Sequence, residues 1–103
     1  MEGLVKSGSQ TVRVYQFLGD TYQLVGLSLM AKDIYQQGLA LNDHNSEVKG
    51  IMQLSLGVLE YVLDNNDGAV DWFEKAKRSY SVLGDRPRVE ELATWINDLS
   101  GRN

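Results

Sequence analysis

The sequence predicts an all-α protein, and three observations carry that reading. Apolar residues recur every three or four positions along most of the 103-residue chain. Short runs rich in Gly, Asn, Asp and Ser interrupt this pattern at 26–28, 42–46, 64–68 and 84–87. The pattern also repeats: Gly19, Ala31, Tyr35 and Gly38 are answered thirty-eight residues later by Gly57, Ala69, Phe73 and Ala76. Five helices and no strand are expected. The length fits one domain with a modest core.

Residues 1–10, with Gly, Ser and Gln dominating positions 7 to 10, read as a flexible lead-in to a helical domain over 11–100. The first helix, 12–25, places Val14, Phe17, Leu18, Tyr22 and Val25 at helical spacing, and these form its expected core face. Gly26 and Ser28 punctuate its end, with Ser28 the expected N-cap of a second helix. That helix runs to about Leu41 and is expected to bury Leu29, Ile34, Tyr35 and Leu39. The loop NDHNS (42–46) follows, and Asn45 or Ser46 starts a third helix ending near Leu63. Val48, Ile51, Met52, Leu54, Leu56, Val58, Leu59, Tyr61, Val62 and Leu63 cover most of its circumference, as expected of a helix with neighbours on most sides. DNNDG (64–68) is a turn with Asp67 the expected N-cap of a fourth helix, which buries Ala69, Phe73, Ala76, Tyr80 and Leu83. GDRP (84–87) breaks the chain again, and Pro87 suits the first turn of a fifth helix. Val89, Leu92, Ala93, Ile96 and Leu99 form its apolar face, and Gly101 ends it.

The repeated unit has a Leu-Gly pair between aromatic residues, then an Ala followed by another aromatic. Tyr15, Leu18, Gly19, Tyr22, Ala31 and Tyr35 show it in full, and Val89, Leu92, Ala93 and Ile96 echo its opening. Glycine in a helix is disfavoured by about 1 kcal/mol relative to alanine. Close approach of a second helix at Gly19 is the expected compensation. On propensity, Gly19→Ala is expected to be mild or even stabilising, and a leucine there to overpack. Over residues 12–100 this pattern resembles the tetratricopeptide repeat. The resemblance implies a right-handed α-solenoid of antiparallel helix pairs, with units at about 12–41 and 46–83 and a C-terminal capping helix at 87–100. The second unit departs from the pattern, because Gln53 and Glu60 stand where the first has Tyr15 and Tyr22. The family's usual proline after the second helix is absent from both units. A turn one residue longer at DNNDG buries Met52, Leu56 and Leu59 and leaves Lys49, Gln53 and Glu60 exposed. That register is the expected one, since burying an unpaired carboxylate is costly.

The resemblance also implies a function. In this family the first helix of each unit lines a concave surface that holds a peptide or protein partner. The candidate partner-binding residues are therefore Arg13, Gln16, Asp20 and Gln23 from the first unit, with Lys49, Gln53 and Glu60 from the second. Chaperone-binding members grip a terminal carboxylate with lysine and asparagine there. Gln16 and Asp20 occupy the corresponding places, so uncharged hydrogen bonding through Gln16, Gln23 and Gln53 is expected instead. A scaffold or assembly role follows. The alternative is an oligomerisation or structural domain of a larger protein, stacking on itself.

Composition narrows the field further. The absence of cysteine removes disulfides, thiolate zinc sites and cysteine nucleophiles, and it fits a reducing compartment. A net charge of −4 gives no electrostatic reason to expect nucleic acid, and Lys75, Lys77 and Arg78 read as a solvated helix face. The longest apolar stretch, Leu24 to Ala31, is broken by Gly26 and Ser28 and cannot span a bilayer. The start MEGLVKSGSQ lacks the apolar region of a secretory signal, so a cytoplasmic protein is expected. Asn65, Asp67, Gly68 and Glu74 resemble part of a calcium loop, but Leu63 stands where its first carboxylate belongs. His44 lies among cap-forming loop residues, and Trp72 and Trp95 lie on amphipathic helices as core or contact residues. No catalytic constellation emerges, and neither an enzyme nor a cofactor is expected.

Overall fold

A computed structural model describes residues 8–41 and 46–101. Among them are five α-helices and no strand: α1 (Gly8–Leu24), α2 (Ser28–Leu39), α3 (Ser46–Val62), α4 (Asn66–Leu83) and α5 (Arg86–Ser100). The first helix thus takes in residues 8–10 of the expected lead-in. Residues 1–7 and the loop at 42–45, with Asn45 and His44, lie outside the described residues.

Three of the helix ends are built alike. The amide of Gly26 donates to the Gln23 carbonyl at 3.1 Å and that of Leu27 to Tyr22 at 2.9 Å. Asp64 and Asn65 make the same pair to Tyr61 and Glu60, as do Gly84 and Asp85 to Ser81 and Tyr80. This is the Schellman closure, which needs a left-handed residue at its corner. Gly26 and Gly84 supply it with φ of 84° and 74°, and Asp64 does so without being glycine, at φ 69°. The residue after each corner caps the next helix. Asn65, rather than the expected Asp67, caps α4 by accepting from the Gly68 amide at 3.1 Å, and Asp85 caps α5 by accepting from Arg88 at 3.2 Å. Leu27 takes that position before α2, and Ser28 is already helical, so the expected serine cap does not form. The calcium-like stretch is accordingly a capped helix start.

Cross-helix contacts fix the chain directions. Gly19 faces Tyr35 and Gly38 faces Tyr15, so α1 and α2 run antiparallel. Gly57 faces Phe73 and Gly50 faces Tyr80, which sets α3 against α4 in the same sense. Phe73 meets Trp95, and Arg88 lies over Tyr80, which orients α5 on α4. At both glycine-on-aromatic crossings the ring lies where a Cβ would be. An added Cβ on Gly19 would stand 2.5 Å from the Tyr35 ring, and Gly57 is at least as close to Phe73.

Two apolar clusters hold the stack. Val12, Ala31, Tyr35, Val48, Met52, Leu56 and Leu59 join α1, α2 and α3. Ala69, Phe73, Ala76, Tyr80, Leu92 and Ile96 join α4 to α5, with Leu54 and Val58 of α3 packed against them. Each helix meets its sequence neighbour, and α1 also reaches α3. The result measures 52 × 32 × 19 Å with a radius of gyration of 14.0 Å. A compact chain of this length would have about 13 Å, so the molecule is somewhat elongated.

The face of α1 departs from expectation. Val14, Phe17 and Val25 are exposed, Phe17 by 71%, and the buried side is Val12 and Gly19 flanked by half-buried Tyr15 and Tyr22. Both α2 and α3 pack on that side, so the stripe opposite has no neighbour among the described residues. Leu29 and Leu83 are likewise exposed. Leu18 is 37% exposed, whereas Leu56 and Leu92, at the same place in the following units, are at 0%.

Candidate functional site

The seven residues expected on a polar groove have separate fates. Arg13 is exposed and lies 3.8 Å from Glu47 across α1 and α3, an exposed pair of little energetic consequence. Gln16 and Lys49 are half-buried. Asp20 and Gln23 are engaged inside the stack, where both accept from the Tyr35 hydroxyl, Gln23 Oε1 at 3.0 Å. Burial, followed by the hydrogen bond to Asp20, pushes the Tyr35 hydroxyl well above its ordinary value, and Ser55 offsets part of this.

Gln53 and Glu60 correct the expected register. They are 8% and 5% exposed. Gln53 Oε1 accepts from the Ser79 hydroxyl at 2.7 Å, and Glu60 pairs with Lys32 at 3.1 Å while accepting from Asn65 Nδ2 at 3.1 Å. The objection to burying Glu60 assumed that it lacked a partner. Its partners come from α2 and from the following turn. Among the described residues no buried side-chain nitrogen or oxygen is left without a hydrogen bond. Met52, Leu56 and Leu59 are buried as expected, so α3 buries both sets.

With the thirty-eight-residue offset kept, the places of Gln16, Asp20 and Gln23 fall on Leu54, Val58 and Tyr61. The surface that is polar on α1 is therefore apolar on α3. The backbone of α5 closely approaches only α4, not α3. The gap between α3 and α5 is a cleft of about 290 Å³ lined by Val58, Tyr61, Phe73, Trp95, Asp98 and Leu99. Phe73 forms its floor, and the Trp95 ring lies 5.5 Å from it at a 54° tilt. Tyr61 is 55% exposed at the rim, and Asp98 is the one charged residue lining the cleft among the described residues. The offset that identifies Val58 and Tyr61 was present in the sequence. Trp95 and Asp98 join them only through the packing of α5 on α4.

Trp72 is a packing residue with the Lys75 ammonium 4.4 Å from its ring centroid. Among the described residues no three His, Cys, Asp or Glu side chains gather as a metal site. No described helix is long and apolar enough to cross a membrane. No protein-family model, curated protein or solved structure matches the chain.

Proposed function

We propose that this chain is a protein-interaction module with a scaffold or assembly role in the cytoplasm, working by binding and not by catalysis. In this reading it is a right-handed α-solenoid of two tetratricopeptide-like helix pairs closed by α5, and it holds a segment of a partner protein. The observation that carries the reading is the apolar cleft between α3 and α5, where Val58, Tyr61, Trp95 and Leu99 surround a Phe73 floor. An open concavity of aromatic and aliphatic side chains with a single charge is suited to holding a few side chains of a partner. The solenoid reading is supported by the repeated glycine-on-aromatic crossing and by the full burial of Leu56 and Leu92 at the same place of successive units.

Panning a random peptide library against the full chain tests the reading. A convergent set of peptides should emerge whose affinity falls about tenfold or more in Val58→Glu and Tyr61→Ala, as expected when a well-packed contact residue is lost. Failure to converge, or peptides indifferent to both substitutions, would overturn it.

A second reading, self-association, is favoured by the exposed apolar residues Val14 and Leu18 of α1, Val25 just beyond its end, and Leu27 and Met30 at the start of α2. Sedimentation at rising concentration separates the two. A dimer abolished by Leu18→Glu would support self-association.

A further inference from the structure

We infer that the cleft between α3 and α5 receives the side chain of a lysine, and most tightly a methylated lysine, presented by the partner segment. The inference rests on the binding role proposed above and specifies its ligand. The lining is two-sided in character: the rings of Tyr61, Phe73 and Trp95 with the aliphatic Val58 and Leu99, and the carboxylate of Asp98. Asp98 is exposed at the cleft, so it attracts a positive charge at the end of an occupant and repels an anionic one. A cation on an apolar stem satisfies both halves, because its methylenes lie on the aliphatic wall and its charge meets ring faces and carboxylate.

The molecule already uses this chemistry on two of its other aromatics. Lys75 sits 4.4 Å from the Trp72 centroid and Arg88 5.5 Å from that of Tyr80, both inside the roughly 6 Å reach of a cation on a ring face. Among the described residues lining the cleft there is no lysine or arginine. Geometry selects lysine over arginine. A planar guanidinium stacks best between or on parallel faces, whereas Phe73 and Trp95 are tilted by 54°, which favours a compact ammonium. A volume of about 290 Å³ lies at the low end for ligand pockets and has room for one long side chain. Methylation enlarges the ammonium and weakens its hydration while keeping its charge, so the fit improves.

The experiment follows the indole N–H resonances of the 103-residue chain by NMR, with the Trp95 signal assigned through Trp72→Phe. Four capped pentapeptides are titrated, identical except for lysine, trimethyllysine, arginine or norleucine at the centre. Trimethyllysine is expected to shift Trp95 at the lowest concentration, lysine next, and norleucine about tenfold or more weaker. Asp98→Asn should weaken the two lysine peptides by about three- to tenfold while leaving norleucine unchanged. Asp71→Asn removes an exposed charge elsewhere and should change nothing. Thermal midpoints of both variants equal to that of the parent show that the fold persists. Norleucine binding as tightly as lysine would overturn the cationic ligand while leaving the apolar cleft as a binding site. Arginine binding more tightly than lysine would overturn the ammonium assignment. Silence of Trp95 toward all four peptides would overturn it as well, and peptides from the panning that still depend on Val58 and Tyr61 would show that the binding role survives.

Discussion

At Gly19 the sequence reading and the structure disagree about one methyl group. Helix propensity alone favours alanine there by about 1 kcal/mol. The Tyr35 ring, however, occupies the space, with Cε1 2.5 Å from where the Cβ would be. Tyr35 cannot swing aside cheaply, since it is fully buried and its hydroxyl is bound to Asp20 and Gln23. Gly19→Ala is therefore predicted to destabilise by about 1–3 kcal/mol, read as a lower urea midpoint; an unchanged or higher midpoint would contradict the crossing. The crossing itself is legible in the sequence as an unfavoured glycine repeated at Gly57. Its strictness is not, because propensity describes the helix and says nothing of the ring lodged against it. The same tyrosine predicts a pH dependence. Tyr35 and Tyr80 are both held above the ordinary tyrosine value, each chiefly by burial, with Arg88 opposing the shift at Tyr80. The unfolded chain thus releases these protons first. Their contribution to stability is complete below about pH 10 and is lost as pH rises toward the folded-state values, by at most about 1.4 kcal/mol per pH unit per tyrosine. The urea midpoint should fall above pH 10 and fall less steeply in Tyr35→Phe; equal slopes would refute the assignment.

At the scale of the element, three helix ends share one closure and differ in one residue. Gly26 and Gly84 occupy the left-handed corner at no steric cost, but Asp64 holds φ 69° with a side chain. Asp64→Gly should raise stability by about 0.5–1 kcal/mol, measured by thermal or urea unfolding; a loss would mean that the aspartate side chain supports the turn. The breaks between helices are legible because Gly, Asn and Asp cluster there. Which residue caps is not, since Asn65 and Asp67 are both competent and only the path of the corner selects Asn65. The register of α3 is the larger lesson. Its nearly all-round apolar character correctly signals neighbours on several sides, and Met52, Leu56 and Leu59 are buried. The burial of Gln53 and Glu60 was illegible because their partners, Ser79 and Lys32, lie on other helices far away in sequence. The same register turns Val58 and Tyr61 toward α5, which is why a surface expected to be polar is apolar.

For the whole molecule, the five-helix order follows from periodicity and punctuation, but the unpaired stripe on α1 does not. An amphipathic pattern shows that a face is apolar and cannot show whether anything covers it. At the other end the cover is present: Leu92 and Ile96 of α5 lie on Ala69, Phe73, Ala76 and Tyr80. Deleting the chain after Gly84 should uncover this cluster, giving a product that aggregates or melts well below the full chain; a soluble monomer of equal stability would show that α5 covers nothing essential. Neighbour-only packing has a further consequence. The backbone of α5 closely approaches α4 alone, while α3 and α4 share the most extensive interface. No described helix binds one end of the stack to the other, so a load applied at the two ends of the stack finds no common latch among the described residues. Under such a pull the protein yields in steps, with α5 peeling away while the α3–α4 pair stays closed, and a tether fixed at the last helix works as a release point rather than an anchor.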